Sequence, residues 1–426
     1  MTATIPAISK ARFVALDGLR GVAALLVILL HVDWPNHLTG VQFVKNGYLA
    51  VDLFFILSGL VIATNYVGRI RTSAEARQFI ALRFFRLYPL HIAVLAAFVA
   101  VECAKVAGQT TSTIVPGHQP FTGGQSYGML LANVFLVQGL GWARVVNWNF
   151  PSWSISCEFF AYVLFSLTVL TGIIRKRPFF IVGTVAASLS YAAMAITHET
   201  LNVIFDFGIV RCLAGFFFGL LIHRCSDALK ARTKMVRYQG AIALAVIGCL
   251  SLLSGAFVVA VIPLFVMLVA SLQSDFGPLA RALQTRPAQF LGRISYSLYM
   301  VHLVIIVGFL MIMKRLAPMS FDPAIGRTLV TINPWIGDIL LVMLVAIVLA
   351  TASITYRLIE EPGRIFGRKF VFGSTRTKQT LSNGRITRSG AITRSDAPAP
   401  SQSFRLDLVS VQEDKRSVAP VGVLEE

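Results

Sequence analysis

Acidic residues are scarce in this chain, and charge of either sign is thin on the ground. Only 14% of the 426 residues are charged, 56% are hydrophobic, and mean hydropathy is +0.72. A soluble domain cannot hide that much apolar surface, so the soluble globular class is excluded. Cysteine is limited to Cys103, Cys157, Cys212, Cys225 and Cys249, without metal-ligand spacing and mostly inside apolar runs. They read as small core hydrophobes, with no metal site and no information on redox compartment. No internal repeat is visible, which argues against transporters built from repeated halves. Twenty acidic residues face 38 basic ones, a formal net charge of +18. Such a balance can signal nucleic acid. Here Lys and Arg fall in short loops between apolar runs, where they set membrane topology, so no nucleic-acid partner is expected.

What is present is a succession of apolar runs near 14–32, 49–66, 84–106, 153–174, 178–197, 203–222, 238–254, 256–273, 290–313 and 335–358. About 20 apolar residues cross a bilayer core, and a backbone in lipid must satisfy its own hydrogen bonds. The runs are therefore helices, and the fold class is all-α integral membrane. The first run follows Lys10 and Arg12 as a signal peptide would. It contains Asp17, Arg20 and His31 and has no clear cleavage site, so it is read as a retained helix. The pair from 238 to 273 is the least secure, being short and joined only by Ser254-Gly255.

Positive charge arbitrates the topology. Arg69, Arg71, Arg77, Arg83 and Arg86 follow the second run, and Arg175, Lys176 and Arg177 the fourth. Arg224, Lys230, Arg232, Lys234 and Arg237 follow the sixth; Arg281 and Arg286 precede the ninth; Arg357, Arg364, Arg368 and Lys369 follow the tenth. Among the alternate loops, the first holds Lys45, the 107–152 loop holds Arg144, and 198–202 holds no Lys or Arg. This asymmetry gives ten transmembrane helices with both termini cytoplasmic. It requires the apolar stretch 127–141 to be re-entrant or interfacial within a long outer loop, 107–152. Residues 1–12 form a cytoplasmic N-terminus, 13–368 the membrane domain, and 369–426 a polar, Ser/Thr/Pro-rich tail that is expected to be disordered and cytoplasmic.

Ionisable groups in lipid are costly, so each one inside a span is a candidate site. Arg20 and His31 share the first helix, roughly 16 Å apart along its axis. On this topology Arg20, Arg83, Arg86 and Arg293 lie at the cytoplasmic level. His31, Asp52 and Glu158 converge towards the outer half, and His302 falls near the middle of the ninth span. A neutral imidazole suits a general base, a carboxylate beside it can hold its tautomer, and guanidinium groups pair with phosphate. Plainer readings stand beside these. His31 also reads as a helix-packing hydrogen-bonder, Arg83 and Arg86 as topology signals, and Asp52 as a helix cap. Glu158 with Arg211 reads as a structural ion pair. Trp142, Trp148 and Trp153 suit either sugar stacking or an interfacial belt.

The order of these residues resembles the acyltransferase family 3 membrane O-acyltransferases, over most of residues 12–366. "RFVALDGLRGVAALLVILLHV" is similar to the family's first helix, with Arg20 and His31, and "GYLAVDLFFILSGLVI" to its second block, with Asp52, Ser58 and Gly59. "ALRFFRLYPLH" carries Arg83 and Arg86, and "PSWSISCEFFAYVLF" carries Trp153, Ser154 and Glu158. "FDFGIVRCLAGFFFGLLI" places Arg211, "LGRISYSLYMVHLVII" supplies Tyr296, Ser297 and His302, and "IEEPGR" closes the domain.

The resemblance implies a bacterial inner-membrane enzyme with ten helices. It would use acyl-CoA (acetyl-CoA foremost) as co-substrate, with no bound cofactor, to acylate a carbohydrate or glycolipid acceptor. His31 would be catalytic with Asp52 and Glu158 in support, and Arg20, Arg83 and Arg86 would bind the donor. Ser58, Trp153, Arg211, Tyr296 and His302 would complete the site. Some relatives append an extracytoplasmic esterase-like domain; here a polar tail stands instead, so either the membrane domain transfers directly or a separate extracytoplasmic transferase receives the group. The competing reading is a proton-coupled transporter or flippase of a glycan or lipid-linked intermediate, with His31, Asp52 and Glu158 as the relay.

Overall fold

A computed structural model of the chain describes residues 13–109, 119–142, 145, 147–226, 234–316, 319–322, 327–330 and 332–386. The longer helices are numbered here in chain order. They are α1 (Val14–Leu30), α2 (Ala50–Tyr66), α3 (Ser73–Gln109), α4 (Tyr127–Val134), α5 (Trp153–Leu170) and α6 (Arg177–His198). There follow α7 (Gly208–Arg224), α8 (Gln239–Leu252), α9 (Val261–Leu272), α10 (Arg286–Leu316), α11 (Pro334–Thr355) and α12 (Glu361–Ile386). Every apolar run expected from the sequence is helical. Seven helical stretches among the described residues are long and apolar enough to cross a bilayer: Gln42–Tyr66, Ser73–Ala107, Phe150–Leu170, Arg177–His198, Gly255–Leu272, Arg286–Met313 and Pro334–Gly373. The molecule is a multi-pass membrane protein. The helices α1 and α7 are shorter, with 17 residues each, and α8 has 14.

Lipid-facing surfaces are legible on the outer helices. On α6, Ile181, Val182, Val185, Leu189 and Ile196 are exposed, while Phe180, Ala187, Tyr191 and Met194 are buried. The spacing of three and four residues places each set on one face. A helix apolar on both faces is at home in a bilayer, where the outward face meets lipid rather than water.

Segment 127–141 forms the eight-residue helix α4 followed by turns. At 1.5 Å per residue it covers about 12 Å and cannot span a bilayer core. Ser126 caps it, its hydroxyl accepting from the Met129 amide. The fold is all-α as expected, with one short addition. Between α10 and α11 a short antiparallel hairpin pairs β1 (Met319–Asp322) with β2 (Arg327–Val330), Met319 opposite Val330 and Asp322 opposite Arg327. Cross-strand pairing satisfies backbone groups that no helix takes up there. The chain forms one compact unit to Thr375 and a second from Arg376. Helix α12 continues to Ile386, past the tail boundary expected at 369; residues 387–426 lie outside those described.

Two close helix crossings carry the candidate residues. A Cβ on Gly59 of α2 would lie 2.0 Å from the Phe216 carbonyl oxygen, and one on Gly219 of α7 2.2 Å from that of Ile56. Only hydrogen fits at either point, so α2 and α7 pack backbone to backbone, as small residues permit in membranes. Likewise, a Cβ on Gly292 of α10 would meet the Asp17 oxygen at 2.3 Å, drawing α10 against α1. Gly59→Val and Gly219→Val are each expected to cost at least about 1–3 kcal/mol through overpacking. Thermal unfolding in detergent checks this, with Gly248→Ala, which meets nothing within 4 Å, unchanged.

Candidate active site

The first turns of α3 run from the end of the bundle inward, so Arg83 and Arg86, three residues apart, project from one helical face. They meet Arg20 from α1, Ser58 from α2, Glu158 and Tyr162 from α5, and Tyr296 and Tyr299 from α10 around a narrow cavity of about 90 Å³. Glu158 is held in place there. Ser58 Oγ and the Tyr162 hydroxyl both donate to its Oε1, each at 2.5 Å. Arg83 is buried, donates to the Tyr66 hydroxyl at 2.8 Å, and lies 5.1 Å from the Tyr66 ring centroid. A desolvated guanidinium over an aromatic face is stabilised without a counter-ion. Its Nε stays buried with no partner among the described residues. Arg20 has Asp17 at 4.0 Å, one turn before it on α1.

Arg83 and Arg86 also line a second cavity, of about 370 Å³, with Arg69, Arg364 and Arg368. Arg364 and Arg368 stand four apart on α12, which Phe366 and Phe370 anchor on Phe85 of α3 at ring distances of 5.4 and 5.5 Å. Five guanidinium groups face one carboxylate, that of Glu75, so this mouth favours an anion. A π-helical turn, Tyr356–Glu360, precedes α12 and buries Glu360, which accepts from Ser297 Oγ at 2.8 Å.

His31 ends α1 rather than lying within it. Its Nδ1 is 2.8 Å from the Val27 carbonyl oxygen. A carbonyl only accepts, so Nδ1 carries the proton and, in the neutral ring, Nε2 keeps its lone pair. The tautomer is thus set by the helix's own backbone and not by a carboxylate. The His302 ring lies 4.9 Å from that of His31, and its Nδ1 donates to the Tyr299 carbonyl at 2.7 Å. Tyr299 lines the first cavity and its ring lies 5.9 Å from that of His302, so ring contacts run from the cavity through Tyr299 and His302 to His31.

The expected convergence of His31, Asp52 and Glu158 divides into separate groups. No hydrogen bond or ion pair joins the three among the described residues. Glu158 belongs to the arginine cavity. Asp52, fully buried, takes Arg211 Nε at 2.8 Å and Nη2 at 2.5 Å, with Tyr191 donating at 2.9 Å. Arg211 therefore pairs with Asp52 and not with Glu158, because the α2–α7 crossing at Gly59 and Gly219 brings the two side chains together. Arg211 also stands 5.8 Å from the ring of Trp153, which is buried, as is Trp148; of the three expected tryptophans only Trp142 is exposed. Arg293 is exposed and lines neither cavity. Tyr162, Tyr299, Arg364 and Arg368 went unselected in the sequence. The four-residue spacing of the two arginines was the available signal.

Fold and site together define a membrane protein whose helices enclose a buried, arginine-lined polar cavity. The chain belongs to the acyltransferase family described as "Acyltransferase domain", whose model matches residues 13–355. It is similar to "Acyltransferase MdmB" of Streptomyces mycarofaciens, with 25% identity over 415 residues, 89% of this chain and 98% of that protein. It is also similar to "Protein 2 in picA locus" of Rhizobium radiobacter, with 41% identity over 106 residues, 24% of this chain and 51% of the other. "Putative O-acetyltransferase SACOL0978" of Staphylococcus aureus (strain COL) matches at 22% over 331 residues, 70% of this chain and 51% of the other. The chain thus spans about half the length of the latter two. No solved structure matches it.

Proposed function

We propose that this acyltransferase moves an acyl group, acetyl foremost, from cytosolic acyl-CoA to a hydroxyl of a carbohydrate-type acceptor. The observation that carries the reading is the pair of adjoining cavities that share Arg83 and Arg86. The outer, five-arginine mouth suits the phosphates of a nucleotide thioester, since guanidinium pairs with phosphate in bidentate geometry. The narrow inner cavity suits the donor's thin arm. The thioester would then reach the level of His31, whose free Nε2 takes the proton as the acceptor oxygen bonds to the acyl carbon and the CoA thiolate departs. The O-acetyltransferase named among its relatives supports acetyl as the group. The accompanying topology is ten crossings with both termini cytoplasmic in a bacterial inner membrane, so the arginine mouth opens to the cytosolic donor. The backbone-held tautomer of His31 and the sequestration of Asp52 by Arg211 favour this over a proton relay through His31, Asp52 and Glu158.

Arg83→Ala is expected to raise the apparent KM for acyl-CoA by about 10- to 100-fold, the worth of one hydrogen bond to a charged group. Turnover at saturating donor should fall far less. Unchanged donor affinity in a folded Arg83→Ala protein would place the donor head elsewhere. The direct test is CoA release by the purified protein, dependent on an acceptor glycan.

A further inference from the structure

A third cavity, of about 500 Å³, opens between helix ends and takes no part in the chemistry above. Phe13 precedes α1, Thr64 and Val67 come from the end of α2, and Phe180 comes from the start of α6. Leu220, His223 and Arg224 come from the last turn of α7, Gln273 ends α9, and Arg175 lies in the α5–α6 connection. The end of α2 also contributes Tyr66 to the five-arginine mouth, so both cavities open at the same end of the bundle.

Three features distinguish this cavity from a row of topology-setting charges. Its described lining holds two guanidinium groups and no carboxylate, whereas the five-arginine mouth includes Glu75. Neither Arg175 nor Arg224 has a carboxylate partner among the described residues. Arg224 lies 6.0 Å from the Phe180 ring centroid, which holds its charge at the cavity wall. The rest of the wall is divided. Phe13, Ala63, Val67, Phe180 and Leu220 are apolar, while Thr64 and His223 are joined at 3.2 Å on the polar side. Gln273, itself 92% buried given a relative exposure of 8%, adds an amide whose Nε2 has no partner among the described residues.

An anion with an apolar attachment fits such a wall. The cavity sits where candidate spans end, and basic pockets between helix ends take phospholipid headgroups. We propose that this cavity binds the phosphate of an anionic phospholipid, with Arg175 and Arg224 on the phosphate and the Phe13–Phe180 side against the upper acyl chain. This leaves the donor site separate, so binding here does not depend on the proposed acyl-CoA reading.

The test uses the full chain purified in nanodiscs of phosphatidylglycerol in phosphatidylcholine, with lipid retained on detergent extraction counted by native mass spectrometry. Each guanidinium near an anionic lipid is worth roughly a fivefold affinity, so Arg175→Gln and Arg224→Gln together should weaken phosphatidylglycerol retention roughly 25-fold. Phosphatidylcholine retention and CoA binding should not change. Both arginines are exposed, so the double variant is expected to fold, and an unchanged unfolding temperature in neutral detergent confirms it. Equal phosphatidylglycerol retention by wild type and double variant would overturn the proposal. So would displacement of the lipid by CoA, which would make the cavity part of the donor path. Stabilisation by soluble glycerol phosphate equal to that by the lipid would make the ligand a free phosphate ester and overturn the lipid assignment.

Discussion

His31→Ala is expected to lower acyl transfer by about 10²- to 10⁴-fold, the range for loss of a positioned general base, with the protein still folded. His31 stands at the end of α1, half-buried, and its ring Nδ1 donates to the Val27 carbonyl one turn back. Removing it breaks no interhelical hydrogen bond among the described residues and loses only the ring contact with His302, so the helix bundle should assemble as before. The same geometry predicts that added imidazole restores part of the activity, because a soluble base can then occupy the vacated position. A role in packing alone would give no such rescue. The measurement is CoA release by purified protein with an acceptor glycan, per folded molecule. Ordinary turnover in a folded His31→Ala protein would remove His31 from the mechanism. His302→Ala should have a smaller effect, because its ring lies tilted beside that of His31 and its Nδ1 is committed to Tyr299.

The second large effect concerns stability. Asp52→Ala leaves Arg211 buried without its counter-ion, and uncompensated buried charge costs about 3–5 kcal/mol. Both residues are almost wholly enclosed. The expected result is a marked drop in unfolding temperature in detergent and in folded yield. Tyr191→Phe removes the hydroxyl that donates an interhelical hydrogen bond to the same carboxylate at 2.9 Å, with the Arg211 carbonyl a distant second acceptor at 3.5 Å. Such bonds average about 0.6 kcal/mol in membrane proteins, so it should be nearly silent. Replacing the pair together, as Asp52→Leu with Arg211→Met, should recover much of the loss, since no charge is then stranded. Turnover per folded molecule should stay near wild type in that double variant. A normally stable Asp52→Ala protein with no turnover would instead return Asp52 to the catalytic group.

These two residues show where sequence reasoning reached and where it stopped. Asp52 and His31 both stand out in the sequence as costly polar groups in apolar runs, and cost alone cannot say whether a group reacts or braces. Helix periodicity places Arg83 and Arg86 on one face, and the shared cavity agrees. The partner of Arg211 was not readable. It depends on the α2–α7 crossing, where Gly59 and Gly219 let two backbones touch between segments some 160 residues apart. The spacing of Arg364 and Arg368 is visible in the sequence, yet their place at the five-arginine mouth needed the Phe85, Phe366 and Phe370 cluster that docks α12 on α3.

Composition and the length of the apolar runs were enough to establish a helical, multi-pass membrane protein. Both follow from local physics: lipid solvates apolar side chains, and a backbone in lipid must bond to itself. The ordered blocks from Arg20 to Glu360 were enough for the family, because each is a contiguous string. Contacts between helices far apart in the chain decided the rest. Tertiary packing put Glu158 between Ser58 and Tyr162 in the arginine cavity, gave Asp52 to Arg211, and left His31 with its own backbone and the His302 ring. Pairing between buried polar groups is set by which helix faces meet and how closely. That distance is a property of side-chain volumes at the crossing, and no single segment contains it.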